Sequence, residues 1–246
     1  MKIPTSYTFM EKKRTYSIFA FIITILIFAL LPSNPIKKAM SFSRYKILKN
    51  KVIVIDPGHG GIDGGTNFEG ILEKNINLEI GLKLKEKLEK RGGTVIMTRE
   101  TDDSLDNNVN SRNRHREDLN NRVKIINDSE ADIFISIHVN YIKNPKKLGP
   151  IVFYHEESEE GKDLAEKIQT NLNKLSAYEK MDINIGYSST PGNYFILFNS
   201  IPPGVIIETG FISNELDRKL LLDSDHQNEI AERISKSIIE FFYSQF

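Results

Sequence analysis

The sequence predicts an α/β domain, a layered sheet of about six strands covered by helices on both faces. Short apolar runs of the buried parallel type, such as VIVID at 52–56, DIFISIH at 132–138 and VIIE at 205–208, alternate with longer stretches whose apolar residues recur every three or four positions. The chain has 246 residues, of which roughly 200 follow an N-terminal apolar segment, enough for one domain with one core.

In order, the first strand is followed by a glycine-punctuated turn. Ile76, Ile80, Leu84 and Leu88 then mark an amphipathic helix from Lys74 to about Lys90, stopped by Gly92 and Gly93. Thr94–Thr98 reads as a second strand, and Thr101–Asn110 as a polar loop. A helix with Leu119, Val123 and Ile126 on its apolar side runs to about Asn127. Asp132–His138 is the third strand and Ile151–Tyr154 the fourth. Leu164, Ile168, Leu172 and Leu175 place a helix over about Glu159–Ala177. Two short strands, near Tyr194–Phe198 and Val205–Glu208, precede helices around Glu215–Leu222 and Gln227–Phe242.

Before the domain, Tyr16–Leu31 is sixteen uncharged residues preceded by Lys12, Lys13 and Arg14. As a helix it would rise about 24 Å against a hydrocarbon core of ~30 Å. Residues 1–32 therefore read as a signal anchor or a signal peptide, and the absence of a clean A-x-A site favours the anchor. Residues 33–50 read as a linker and 51–246 as the folded domain. The segment implies an exported protein, membrane-anchored through it or secreted.

Composition narrows the chemistry. Lysine plus arginine and aspartate plus glutamate number 33 each, so no basic excess points to nucleic acid. There is no cysteine. Disulfides, thiolate metal sites and a cysteine nucleophile are excluded, and any metal must be held by His, Asp or Glu.

DPGHGGIDGG begins at Asp56, where the first strand ends, so His59 stands at the carboxyl edge where open α/β sheets place their ligands. A phosphate loop is excluded, since no GK[ST] follows and the G-x-G-x-x-G spacing is absent. Glu73, fourteen residues after His59, opens the first helix; alone, it would merely complement the helix dipole. His138 ends its own strand at the same edge. Two histidines and one glutamate there form the ligand set of several catalytic zinc hydrolases, which leave one position for water. Glu208 ends the apolar strand VIIE, a costly place for an acid without a task. It is the candidate general base.

IVIDPGHGGIDGG, EKNINLEI, NNRVKIIN, ADIFISIHVN and VIIETGFISN, in this order over roughly residues 51–246, resemble the zinc-dependent N-acetylmuramoyl-L-alanine amidases. The resemblance implies that His59, Glu73 and His138 bind Zn2+, that Glu208 is catalytic, that peptidoglycan is the substrate, and that the sheet is twisted and mixed. The layout, together with NSRNRHREDLNNRVKIIN, is similar to the germination-specific amidases of spore formers. That likeness implies a spore-cortex role in muramic δ-lactam formation. A vegetative autolysin, a zinc peptidase and a non-catalytic glycan-binding module are the alternatives. A regulatory protein partner stays unidentified.

Other polar residues are assigned lesser roles. His115, His155 and His226 read as surface or capping residues. Arg112, Arg114, Arg116 and Arg122 read as a solvated helix face, although they could also meet stem-peptide carboxylates. Arg99, with Asp102 or Asp103, braces a loop. Asn140, two residues past His138, is a candidate for orienting a metal ligand or contacting substrate. The loop Gly186–Asn193 is a candidate wall of the substrate groove.

Overall fold

A computed structural model of the chain describes residues 19, 21–23, 47–106 and 113–244. It falls into two units, Met1–Tyr45 and Lys46–Phe246. In the first, Phe19 and Phe21–Ile23 are helical and exposed; the remainder of the Tyr16–Leu31 segment, and the signal or anchor assignment with it, lies outside the described residues. No helix among the described residues is long and apolar enough to cross a membrane.

The second unit opens with β1 (Val52–Pro57), the short strands β2 (Asn67–Phe68) and β3 (Ile71–Leu72), α1 (Glu73–Lys90), β4 (Thr94–Met97) and α2 (Arg114–Asp128). It continues through β5 (Ile133–Asn140), β6 (Ile151–Tyr154), α3 (Glu159–Leu172), α4 (Ser176–Lys180), β7 (Thr190–Pro191) and α5 (Phe195–Asn199). It closes with β8 (Gly204–Phe211), α6 (Glu215–Leu221) and α7 (Ser224–Tyr243). Six strands form one sheet in the order β4-β1-β5-β8-β6-β7, while β2 and β3 form a separate hairpin. The pairs β1/β4, β1/β5, β5/β8 and β6/β7 are parallel, and β6 runs antiparallel to β8. The sheet is therefore mixed and mostly parallel, as expected.

Successive strand residues point to opposite faces, and both faces are buried. Ile53, Ile55, Ile133, Ile135, Ile137, Val205 and Ile207 share one core with Ile76, Ile80, Leu84 and Leu88 of α1 and with apolar residues of α3 and α7. Val54, Phe134 and Ile206 face the other way, against Ile126 of α2 and Ile196 and Leu197 of α5. This second face turns polar toward the carboxyl ends of the strands. Asp56 lies opposite Ser136, and His138 opposite Glu208, so a polar site rises directly from an apolar floor.

Several boundaries differ from expectation. The strand expected near Tyr194–Phe198 is the helix α5. Its neighbours Ile196 and Leu197 are both buried while Phe198 is exposed, a helical rather than alternating pattern, and the edge place in the sheet is taken by Thr190–Pro191. The helix expected to reach Ala177 stops at Leu172, and α4 follows as a separate turn. The hairpin of β2 and β3 has no counterpart in the expected elements. Residues 47–50 form a turn that buries Leu48 in the core, with its amide donating to the Arg91 carbonyl at 3.0 Å. The folded unit thus includes the end of the stretch read as linker.

Candidate metal centre

The backbone at the end of β1 is built to aim His59. His59 itself has φ of 61°, a left-handed conformation that is uncommon for a residue with a side chain. Its ring Nδ1 lies 2.8 Å from Asp63 Oδ2, which directs the other nitrogen, Nε2, inward to within 3.3 Å of Glu73 Oε1. Glu73 is the first residue of α1. The same Oε1 lies 2.9 Å from His138 Nδ1 and accepts the Val139 amide at 3.0 Å. Its second oxygen accepts the Thr66 amide at 2.8 Å. Asn77, one turn along α1, donates through Nδ2 to both Gly58 O and Glu73 Oε1.

Glycines make room for this cluster. A Cβ at Gly58 would strike the His138 ring, and one at Gly65 would come within 2.6 Å of His59 Cδ2 and 2.7 Å of Glu73 Oε2. Gly65 also has φ of 65°, which only glycine adopts without strain.

The three expected ligand residues therefore converge: one donor atom from each of His59, Glu73 and His138 lies within 4.8 Å of the others. Burial alone would raise the Glu73 carboxyl, but the hydrogen bonds from His138 and His59 hold it far below the usual carboxylate range. Burial alone would lower His59, yet Asp63 and Glu73 push it up to about 10. The pocket thus favours positive charge between an anion and two imidazoles. Two nitrogens and one oxygen, with a carboxylate behind one ring, suit zinc.

Glu208 stands beside this set. It is the register partner of His138 across β5 and β8, and of Ile151 across β6. Burial pushes its carboxyl up to about 7, with the His138 ring pulling the other way. Its Oε2 is buried without a hydrogen-bond partner among the described residues. Tyr194, just before α5, is pushed up to about 12 by burial and by the Glu208 charge.

Beneath the ligands lies a charged layer that the sequence reading did not find. Asp56 is buried at the end of β1 and accepts from Thr98 Oγ1 and Ser136 Oγ at 2.7 Å each and from Arg122 Nη1 at 2.6 Å. Arg122 is not on a solvated face. It is 2% exposed, because its stem points from α2 into the sheet. Arg99 is equally enclosed and does brace the loop, as expected, though through backbone carbonyls and without either aspartate: it donates to Pro57 O, Gly58 O, Lys74 O and Thr101 O. Asp102 pairs instead with Lys74 Nζ at 2.7 Å. The signal for Asp56 was the one used for Glu208, an acid ending an apolar strand. Asp63 stood four residues after His59 inside the glycine motif.

The remaining expected residues lie as follows. Asn140 ends β5 beyond a shift in its register with β8. It makes no side-chain hydrogen bond among the described residues, and the carboxylate that meets the His59 ring is that of Asp63. Arg114 pairs with Asp106, Arg116 lies over the Phe195 ring, and Arg112 is outside the described residues. His115 is exposed, and its Nδ1 is 3.7 Å from Asp63 Oδ2. His155 meets Phe198 edge-on. His226 corrects its assignment as a surface or capping residue: the cap is Asp223, and the His226 ring is buried against Tyr178 with both nitrogens unpartnered among the described residues. Thr190 and Pro191 of the Gly186–Asn193 loop form β7 at the sheet edge.

Residues 53–240 match the N-acetylmuramoyl-L-alanine amidase family. The chain is 36% identical over 197 residues to the germination-specific N-acetylmuramoyl-L-alanine amidase of Bacillus subtilis, covering 79% of this chain and 81% of that one. It is 31% identical to a probable cell wall amidase, LytH, of Staphylococcus saprophyticus, covering 80% of this chain but only 60% of the relative's length. Among solved structures, the CwlD amidase of Clostridioides difficile in complex with the GerS lipoprotein superimposes with a TM-score of 0.74 at 38% identity, covering 79% of this chain and all of that one.

Proposed function

Because the chain belongs to the N-acetylmuramoyl-L-alanine amidase family, we propose that it uses zinc to hydrolyse the amide between the muramoyl lactyl group and L-alanine in spore-cortex peptidoglycan. The observation that supports this reading most directly is the convergence of His59, Glu73 and His138 within 4.8 Å, with Glu208 paired to His138 across the sheet.

His59, Glu73 and His138 would hold the zinc, which supplies Lewis-acid polarisation of the amide carbonyl and lowers the pKa of water toward ~7. Asp63 fixes the His59 ring so that Nε2 faces inward. Glu208 takes the proton of the attacking water and returns it to the departing L-alanine amine. Asn140, without an internal side-chain partner, is assigned to the substrate.

In the cortex the product is a muramoyl carboxyl group, from which lactam closure proceeds in a later step. The protein acts on the cell-wall side of the membrane, either anchored by its N-terminal segment or released. That the Clostridioides difficile relative is seen with a lipoprotein supports a regulatory protein partner here.

The test is digestion of cortex and vegetative peptidoglycan side by side, with and without a chelator, followed by mass analysis. Stem peptides beginning at L-alanine should be released from cortex, lost with chelator and restored by zinc. Cleavage inside the stem would mark a peptidase. Zinc binding without any release would mark a glycan-binding module. Preference for vegetative wall would place the protein with the staphylococcal cell wall amidases.

A further inference from the structure

Three successive carbonyls at the end of β1 and just beyond it, those of Pro57, Gly58 and His59, are taken up by two enclosed guanidinium groups. Arg122 reaches Pro57 O through Nη1 at 2.9 Å and His59 O through Nη2 at 2.7 Å. Arg99 reaches Pro57 O through Nε at 2.9 Å and Gly58 O through Nη2 at 3.0 Å. The same Nη2 also donates to Lys74 O at 2.8 Å, one residue past Glu73. A single nitrogen therefore ties the His59 loop to the helix turn that carries Glu73.

We propose that Arg99 and Arg122 are positioning residues that hold His59 and Glu73 at ligand spacing before a cation arrives. Chemistry and burial both support this. His59 sits at positive φ, a strained conformation that persists only where its surroundings over-determine it, and Arg122 grips the carbonyl of that very residue. Burying two cations is costly unless they are neutralised and hydrogen-bonded. Asp56 and Asp118 neutralise Arg122, and its other donors go to the loop. A fork of five donors in one plane can hold two carbonyls and two carboxylates at once; an ammonium cannot.

The inference rests on the proposed metal site, and the experiment separates the two. Zinc affinity of the full chain is measured by chelator competition, alongside the visible spectrum of the cobalt-substituted protein and the melting temperature of the metal-free protein. For Arg122→Lys and Arg99→Lys, charge is kept and the fork lost. Zinc affinity should fall about 10- to 100-fold, the range seen when outer partners of metal ligands are removed. The cobalt spectrum should change, showing altered ligand geometry. If Arg122→Lys fails to fold, Arg99→Lys and Arg99→Gln, which leave the Arg122 pairs with Asp56 and Asp118 in place, carry the test with the same expected loss. A folded variant with unchanged zinc affinity and cobalt spectrum overturns the inference alone. A wild-type chain that binds no zinc overturns the metal-site reading and the inference with it.

Discussion

His138 and Glu208 face each other as register partners on β5 and β8, so the residue assigned to hold the metal and the residue assigned to move the proton share one row of one sheet. Sheet geometry fixes their separation, and no loop has to close to bring them together. Glu208→Gln keeps the shape and removes the base. Hydrolysis should fall by about 10²- to 10⁴-fold, the usual contribution of a general base, while bound zinc per chain stays unchanged. Loss of zinc together with activity would show instead that Glu208 belongs to the metal shell.

Asp63 fixes the orientation of the His59 ring through Nδ1. Asp63→Asn should weaken zinc binding by about 10- to 100-fold and also lower the melting temperature of the metal-free chain, because it removes the carboxylate paired with the His59 imidazolium. Titration against a competing chelator measures the first, and a thermal scan in excess chelator the second.

Gly58→Ala places a methyl group against the His138 ring. Overpacking of this kind costs about 1–3 kcal/mol, and relief comes only by moving the imidazole. Zinc affinity should drop together with stability, and denaturant unfolding with and without zinc should show a smaller stabilisation by the metal than in wild type. Normal zinc stabilisation in the variant would mean that the ring has room the structure does not show.

His226 links stability to acid. Burial lowers its pKa below the ordinary 6.5, although Glu229 and Asp223 pull upward. The folded imidazole therefore resists the proton that the unfolded one accepts. Its contribution to stability is complete above about pH 6.5 and is lost as the pH falls below it, toward the lower pKa of the folded state. His226→Leu removes the titrating group. The melting temperature of the variant should decline less steeply than that of wild type between about pH 6.5 and 5; parallel declines would assign the acid sensitivity to other groups.

The sheet and the meeting of His59, Glu73 and His138 were legible because both are written in strong local patterns. Buried parallel strands are continuous apolar runs, and a polar residue that ends such a run stands out, as His138 and Glu208 did. The charged layer below them was not legible. Arg122 lies in a stretch dense with arginines, and only the fold reveals that Arg114, Arg116 and Arg122 have three different fates. One pairs with Asp106, one stacks on Phe195, and one is sealed beneath the site. The helix α5 was misread for a related reason. Five residues are too few for periodicity to separate helix from strand, and what decides there is which places in the sheet are already filled.

The place of β8 bears on how the enzyme comes into being. It is the last strand among the described residues yet lies inside the sheet, between β5 and β6. A nascent chain carries His59, Glu73 and His138 by position 138, but Glu208 takes its place beside them only when residues 204–211 slot between β5 and β6. A polypeptide that stops short of β8 can therefore present the three proposed ligand residues without the proposed proton acceptor.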